Sequence, residues 1–243
     1  MKEIHYFFAP DAAIAQELPA EEALHAIRVL RMKEGDEMVL IDGKGTFYEA
    51  VLTLVTQRHC LYDIRQILPQ QPTWKGHLHL AVAPTKMMER IEWLAEKATE
   101  VGLDELSFLN CQFSERTVVK TPRIEKIVTA AVKQSRKAWL PQVNGLTPFD
   151  TFLNTHTTGR RYIAHCYNEV SQINLFDELR RPSDDDDVLV MIGPEGDFSI
   201  NEVRKALDAG FVSVDLGKSR LRTETAALSA VMMMHLAQQA NII

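Results

Sequence analysis

Two short segments bring together residue types that could do chemistry. Gly193-Pro-Glu-Gly196 follows the apolar run Val188-Leu-Val-Met-Ile192, and Ser199 with Glu202 forms a capping box for the next helix. Glycines at the end of a buried strand let the backbone approach a ligand, and a helix N-terminus exposes N–H donors. The second segment, Leu216-Gly-Lys-Ser-Arg-Leu-Arg-Thr-Glu-Thr-Ala226, also follows a strand pattern and leads into a helix. Its Lys218, Arg220 and Arg222 supply cations, while Thr223, Glu224 and Thr225 supply capping hydroxyls and an acceptor. Taken singly, the first segment is as readily a structural turn, and the second more readily a polar loop with its N-cap. Two such loops can face one pocket. The first lacks both the Gly-rich run ending in Lys-Ser/Thr of a P-loop and the Gly-x-Gly-x-x-Gly of a dinucleotide fold.

The elements that must position these loops alternate between strand and helix. His77 to Ala83 reads as a strand ending at Pro84. Met87, Ile91, Leu94, Ala95, Ala98 and Val101 then share one helical face that Gly102 can terminate. Leu106 to Leu109 is a second short strand, and Thr121-Pro122 opens a helix running to about Lys137. Tyr162 to Cys166, Val188 to Ile192 and Phe211 to Leu216 complete the strands, and the last helix runs from near Thr223 through Ala237. This alternation predicts an α/β domain with a largely parallel sheet, helices on both faces and ligands at the carboxyl ends of the strands.

Leu68-Pro-Gln-Gln-Pro-Thr73 breaks every periodicity and marks a boundary between residues 1–70 and residues 75–243. Before it lie a short strand near Ile4 to Ala9, a helical stretch from Glu21 to Leu30 and a strand from Cys60 to Ile67. Glu37 to Ile41 and Tyr48 to Val55 form a hairpin across Asp42-Gly-Lys-Gly45. Together they predict a small β-barrel.

Composition bounds the function classes. Of 243 residues, 46% are hydrophobic and 25% charged, with no apolar run of about 18 that could span a bilayer. The expectation is a soluble, cytoplasmic protein with no membrane partner. Met1 to Phe8 is too short and mixed for a secretory signal. Cys60, Cys111 and Cys166 lack the close pairing of a metal site or disulfide framework, so reduced thiols and no metal are expected. The net charge of -6 argues weakly against nucleic acid, yet four of those negative charges sit in Asp184 to Asp187, which reads as a solvated loop. Arg28, Arg31, Lys86, Arg90, Arg116, Arg123, Lys133 and Arg136 could form a basic path or simply solvate helix faces. Trp93 and Trp139 read as packing residues, and Met232 to Met234 as core or dimer seam.

The ordered pair of loops resembles the bacterial RsmE-like methyltransferases, which methylate N3 of a uridine in 16S ribosomal RNA. The resemblance extends to Lys86-Met-Met-Glu-Arg90, Glu96-Lys-Ala-Thr-Glu-Val-Gly102, Ser114-Glu-Arg116, Ala131-Val-Lys-Gln-Ser-Arg136 and His25-Ala-Ile-Arg-Val-Leu-Arg31. It implies a small N-terminal PUA-like β-barrel and a SPOUT α/β domain whose C-terminal segment forms a trefoil knot. It further implies S-adenosylmethionine, held by Ile192, Gly193, Pro194, Glu195 and Gly196 with Leu216, Gly217, Ser219, Leu221, Thr223, Thr225 and Ala226. A homodimer across the knot is implied too, with 16S ribosomal RNA or the assembled small ribosomal subunit as partner. Asp197 stands where the family often has another glycine, and Lys218-Ser219 where Pro-Arg is frequent.

Uridine N3 carries a proton that must leave, and a cation near the uracil oxygens would stabilise the developing anion. Arg222 is the first candidate for that cation, Arg116 a second, and Glu224 a candidate proton acceptor. Each arginine could equally contact phosphate, and Glu224 could bind the cofactor or cap the helix. Arg28, Arg31, Lys86, Arg90, Arg123, Lys133 and Arg136 are the candidate RNA contacts. The alternatives are a methyltransferase for another RNA or for a protein, and a non-catalytic RNA-binding homologue of the same fold.

Overall fold

A run such as Val188-Leu-Val-Met-Ile192, apolar at every position, suits only a strand covered on both faces. In the computed structural model, which describes residues 4–240, it is the central strand of a seven-stranded sheet. The first elements are β1 (His5–Phe8), α1 (Ala20–Arg28), β2 (Glu37–Ile41), β3 (Thr46–Val55) and β4 (Cys60–Pro69). Then come β5 (Leu78–Val82), α2 (Met88–Val101), β6 (Glu105–Asn110), α3 (Thr121–Ser135), β7 (Gln142–Pro148) and α4 (Phe149–Thr155). The chain closes with β8 (Arg160–Ala164), β9 (Ile173–Asn174), α5 (Leu175–Leu179), β10 (Val188–Ile192), α6 (Ile200–Asp208), β11 (Val212–Asp215) and α7 (Thr223–Ala240).

Two compact units divide the chain: residues to Thr73 with Thr129–Leu140, and Trp74–Val128 with residues from Pro141 onward. In the second, the strand order is β7-β6-β5-β10-β8-β11-β9 and every pairing is parallel. The chain builds outward from β5 to β6 and β7, returns to lay down β8, and only then inserts β10 between β5 and β8. That insertion makes a topological switch point, where the loops beyond the strand ends splay apart and leave a crevice. Leu189 and Met191 pack with Phe149 and Phe152 of α4 and Val203 and Ala206 of α6. Alternation along the strand turns Val188, Val190 and Ile192 the other way. α7 packs against β5 and β10 and against α2 and α5. Burial reaches all five residues of β5, including His79, whose pKa it pushes down to about 4, so this imidazole is neutral near pH 7.

The first unit forms a four-stranded sheet in the order β1-β2-β3-β4. β1 runs parallel to β2, and β3 antiparallel to both its neighbours. The hairpin turn is set by Asp42, whose Oδ1 accepts from the backbone N–H groups of Lys44 (2.7 Å) and Thr46 (3.0 Å). The barrel expected from the sequence differs in detail: among the described residues β1 and β4 do not pair. The free side of β4 pairs instead with the stretch before α1, where the Tyr62 N–H donates to the Gln16 carbonyl (2.9 Å) and the Leu18 N–H to that of Cys60 (2.9 Å). Residues 129–140 join this unit because the turn binds them: the Gly45 N–H donates to the Ala138 carbonyl and the Leu140 N–H to that of Gly43, both at 3.0 Å. A Cβ on Gly45 would come within 2.8 Å of the Trp139 ring, and Gly45 has a φ of +106°, so this position needs glycine.

β7, β9, α4 and α5 are absent from the sequence expectations. β7 carries Gly145 and ends at Pro148 at the edge of the sheet, and β9 is a two-residue strand. Neither has an apolar alternation to betray it. The acidic run at Asp184 to Asp187 is exposed, as expected, although Asp187 Oδ1 accepts from the His77 N–H (2.8 Å).

Candidate cofactor and substrate site at the carboxyl end of the sheet

The loop after β10 is shaped by its first glycine. A Cβ on Gly193 would lie 2.9 Å from the backbone nitrogen of Phe198, so the loop can curl back only without a side chain there. The Asp197 N–H donates to the Pro194 carbonyl (2.9 Å), closing the turn, and Asp197 itself has a φ of +67°. That left-handed geometry suits glycine, with Asp and Asn the usual exceptions. Here the carboxylate offsets the strain: Oδ1 accepts from the Phe198 N–H and Oδ2 from the Cys166 N–H, both at 2.8 Å. The helix that follows begins with the expected capping box. Ser199 Oγ accepts from the Glu202 N–H (3.3 Å), and Glu202 Oε2 accepts from the Ser199 N–H (2.8 Å). Such caps contribute about 1 kcal/mol. The other Glu202 oxygen accepts from the Gln112 N–H (2.8 Å), anchoring the loop after β6.

The loops after β5 and β6 lean on the same turn. Glu195 Oε1 accepts from the Lys86 N–H (3.0 Å), and a Cβ on Gly196 would touch Phe113 at 3.4 Å. Arg116 Nε lies 3.2 Å from the carbonyls of both Thr85 and Lys86, and its Nη2 also donates to Lys86. A guanidinium so placed braces the backbone of this loop.

After β8, His165 is a neutral relay. Its Nδ1 accepts from the Tyr167 N–H (3.2 Å) and from Gln172 Nε2 (3.0 Å), so Nε2 carries the proton toward Ser213 Oγ (2.8 Å). Burial lowers its pKa, against the opposing pull of Asp197 and Glu169. Tyr167 donates its hydroxyl to the Phe198 carbonyl (2.8 Å).

After β11, Asp215 Oδ1 accepts from the Gly217 N–H (2.8 Å) and from Asn174 Nδ2 (3.0 Å). Gly217 has a φ of +103° with open space around it, while Leu216 and Leu221 are half-buried and Lys218, Ser219, Arg220 and Arg222 exposed. The Ala226 N–H donates to the Arg222 carbonyl (2.8 Å), so α7 begins here and buries Thr223 and Glu224 in its first turn. Glu224 is 8% exposed. Its Oε1 lies 3.7 Å from Nε of Arg90, in the first turn of α2, while Oε2 is buried without a partner. A buried carboxylate oxygen left unsatisfied is costly and marks a place where a ligand donor fits.

The family model for the RNA methyltransferase domain matches residues 72–235, and that for an RNA methyltransferase PUA domain matches residues 18–61. The chain belongs to the RNA methyltransferase family. Among its relatives, the ribosomal RNA small subunit methyltransferase E of Synechocystis is 29% identical over 209 residues, covering 84% of this chain and 67% of that protein. The crystal structure of a probable rRNA-methyltransferase from Porphyromonas gingivalis is 40% identical with a TM-score of 0.90, over 98% of this chain and 99% of that one. A ribosomal RNA small subunit methyltransferase E from Neisseria gonorrhoeae, solved bound to S-adenosyl methionine, is 26% identical with a TM-score of 0.82, covering 96% of this chain and 98% of that one.

Within this family member the basic candidates separate. Lys86 pairs with Glu115 (2.9 Å), Arg123 with Glu92 (2.6 Å) and Lys133 with Glu22 (2.6 Å), while Arg136 lies over the Tyr6 ring (5.1 Å). Arg28, Arg31 and Arg222 are exposed and make no ion pair among the described residues. Sequence reasoning missed Tyr167, His165 and Asp215 as supports of the site, since each acts through a partner distant in the chain.

Proposed function

We propose that this chain transfers a methyl group from S-adenosylmethionine to N3 of a uridine in 16S ribosomal RNA, with the assembled small subunit as its substrate. One observation carries the reading: the loops after β5, β8, β10 and β11 all open at the carboxyl end of the sheet, around its switch point, where Glu224 keeps an unpartnered carboxylate oxygen. The residues fit the cofactor. Gly217 leaves open space beside the backbone where a ligand can approach, Gly193 lets its loop curl back on Phe198, Ile192 and Leu216 are apolar, and the unpartnered carboxylate suits an amine or a sulfonium. When bound, S-adenosylmethionine supplies a methyl already activated on sulfur, so the chain has only to bind, orient and exclude water.

Ile192 to Gly196 and Leu216, Gly217, Ser219, Leu221, Thr223, Thr225 and Ala226 hold the cofactor through backbone groups and hydroxyls. Arg222, exposed and without an ion pair among the described residues, reaches the uracil oxygens and stabilises the anion formed when the N3 proton leaves. Glu224 accepts a donor from the cofactor, or the N3 proton itself. Arg116 fixes the Thr85–Lys86 carbonyls. Residues 1–70 form the RNA-binding domain, with Arg28 and Arg31 as phosphate contacts, and residues 75–243 the methyltransferase domain. Lys86, Arg90, Arg123, Lys133 and Arg136 join the RNA surface by exchanging their carboxylate or ring partners for phosphates. α7 leaves the loop after β11 yet packs on β5, β10 and α2, which supports a trefoil knot closed by that loop. Met87 just before α2, Trp93 on α2, and Met232 and Leu236 on α7 are exposed apolar side chains, which supports a homodimer through those helices. No helix among the described residues is long and apolar enough to cross a membrane, and we place the activity in the cytoplasm.

The experiment is methyl transfer to small subunits from a strain lacking this enzyme, with mass mapping of the modified base. A single N3-methyluridine in 16S RNA is the expected result. Methylation of another RNA, or cofactor binding with no transfer to any ribosomal substrate, would overturn the substrate assignment.

A further inference from the structure

The opposite end of the same sheet holds a second cluster of side chains that methyl transfer does not use. His79 leads up β5, Glu105 opens β6 and His156 caps the C-terminus of α4. One ligating atom from each of the three lies within 4.8 Å of the others. His79 Nε2 is already 3.6 Å from Glu105 Oε1, and ligands bound to a tetrahedral ion at about 2.0–2.2 Å sit about 3.4 Å apart. Small side-chain rotations would close the triangle.

The surroundings orient these groups as ligands. His156 Nδ1 lies 2.9 Å from the Phe152 carbonyl, an acceptor only, so Nδ1 carries the proton and Nε2 offers its lone pair. Its ring stacks on Phe152 with centroids 3.9 Å apart, which fixes the plane. Asn144 Nδ2 donates to Glu105 Oε1 and to Ser107 Oγ (2.9 Å), and Ser107 Oγ lies 2.7 Å from His79 Nε2. With Asn144 as its donor, the Ser107 hydroxyl can point its own proton at that nitrogen and so leave it unprotonated; an ion would displace this one hydrogen bond and take the same lone pair. His77 Nε2 lies 2.8 Å from the other Glu105 oxygen, holding the carboxylate from the solvent side. Two histidines and one carboxylate, with His156 and Glu105 held by outer partners, are a donor set suited to a borderline divalent ion rather than to Mg2+ or Ca2+.

We propose that His79, Glu105 and His156 form a Zn2+ site that clamps the end of α4 to the amino end of the β5–β6 pair. With His77 or a water as fourth ligand, the ion would join three elements that otherwise meet here through ring contacts and hydrogen bonds to the Glu105 carboxylate and the Ser107 hydroxyl. The ligands come from residues separated by 26 and 51 positions in the chain, and the site stands apart from the loops that carry methyl transfer.

Calorimetric titration of the full-length, chelator-stripped protein with Zn2+ tests this, together with the visible absorption of Co2+ added in its place. The expected result is one Zn2+ per chain, the strong absorption of tetrahedral Co2+, a raised thermal midpoint with Zn2+ and none with Mg2+. His156→Ala removes an exposed-edge ligand outside the core of the sheet, and Glu105→Gln keeps the shape of its side chain; each should weaken binding by about 10–100-fold or more. S-adenosylmethionine affinity should be unchanged in both variants. Absence of saturable Zn2+ binding, or binding that both folded variants retain in full, would overturn the site.

Discussion

The two ends of one parallel sheet follow different rules of construction. At the carboxyl end the proposed cofactor-binding groups arrive in contiguous runs, Gly193 to Gly196 and Leu216 to Ala226, because each strand there hands directly to a loop. At the amino end, His79, Glu105 and His156 come from three separate elements, and each contributes one residue. The carboxyl end uses backbone shape, which closely spaced glycines and caps can encode locally. Side chains projected from neighbouring elements make the amino-end cluster, and only the sheet register brings them together.

The largest expected effect lies in the backbone-built site. In Gly193→Val, the new side chain meets the Phe198 nitrogen, so the loop after β10 must move. S-adenosylmethionine affinity should fall by about 100-fold, a loss of about 2.8 kcal/mol, while Zn2+ binding at the other end stays intact. Calorimetry with each ligand in turn measures both. A folded variant with normal cofactor affinity would remove this loop from the site, and loss of both ligands would break the independence of the two ends.

Next comes Arg222→Ala, which removes no ion pair or side-chain hydrogen bond among the described residues. Single-turnover methyl transfer at saturating RNA and cofactor should slow by about 100-fold, with little change in RNA affinity. A normal rate would return Arg222 to phosphate or loop binding. An equal fall in rate and binding would make it a substrate contact without a catalytic part.

The smallest effect concerns acid. His165 must stay neutral, because its Nδ1 accepts two hydrogen bonds and burial lowers its pKa below the ordinary 6.5. The unfolded chain therefore binds this proton more readily than the folded one. Stability from this residue is present above about pH 6.5 and is lost as pH falls through the lowered folded value. The groups facing it are Asp197, Glu169, Ser213, Gln172 and Tyr167. In His165→Gln, which keeps a neutral polar side chain, the fall in thermal midpoint between pH 7 and pH 5 should be shallower than in the parent protein. An identical pH profile would show that this histidine does not report on the loops around the cofactor.

Much of this protein was written locally. The capping box at Ser199 and Glu202, the continuous burial of Val188 to Ile192 and the hairpin held by Asp42 follow from neighbouring residues, so propensity and spacing were enough to read them. The alternation that announced a parallel α/β domain was equally plain, as was the family signature in the two loops. Tertiary structure alone decided the rest. Insertion of β10 between β5 and β8 is a choice among strand orders that a one-dimensional pattern leaves open. Residues 129–140 joined the first unit because the Gly43–Gly45 turn supplies their backbone partners, a pairing with no trace in composition. The hydrogen bonds of Arg116 to the carbonyls of Thr85 and Lys86 likewise join residues about 30 positions apart, which no local pattern shows. The grouping of His79, Glu105 and His156 leaves no mark in their spacing, because side-chain convergence depends on which strands become neighbours, and that depends on burying the whole sheet at once.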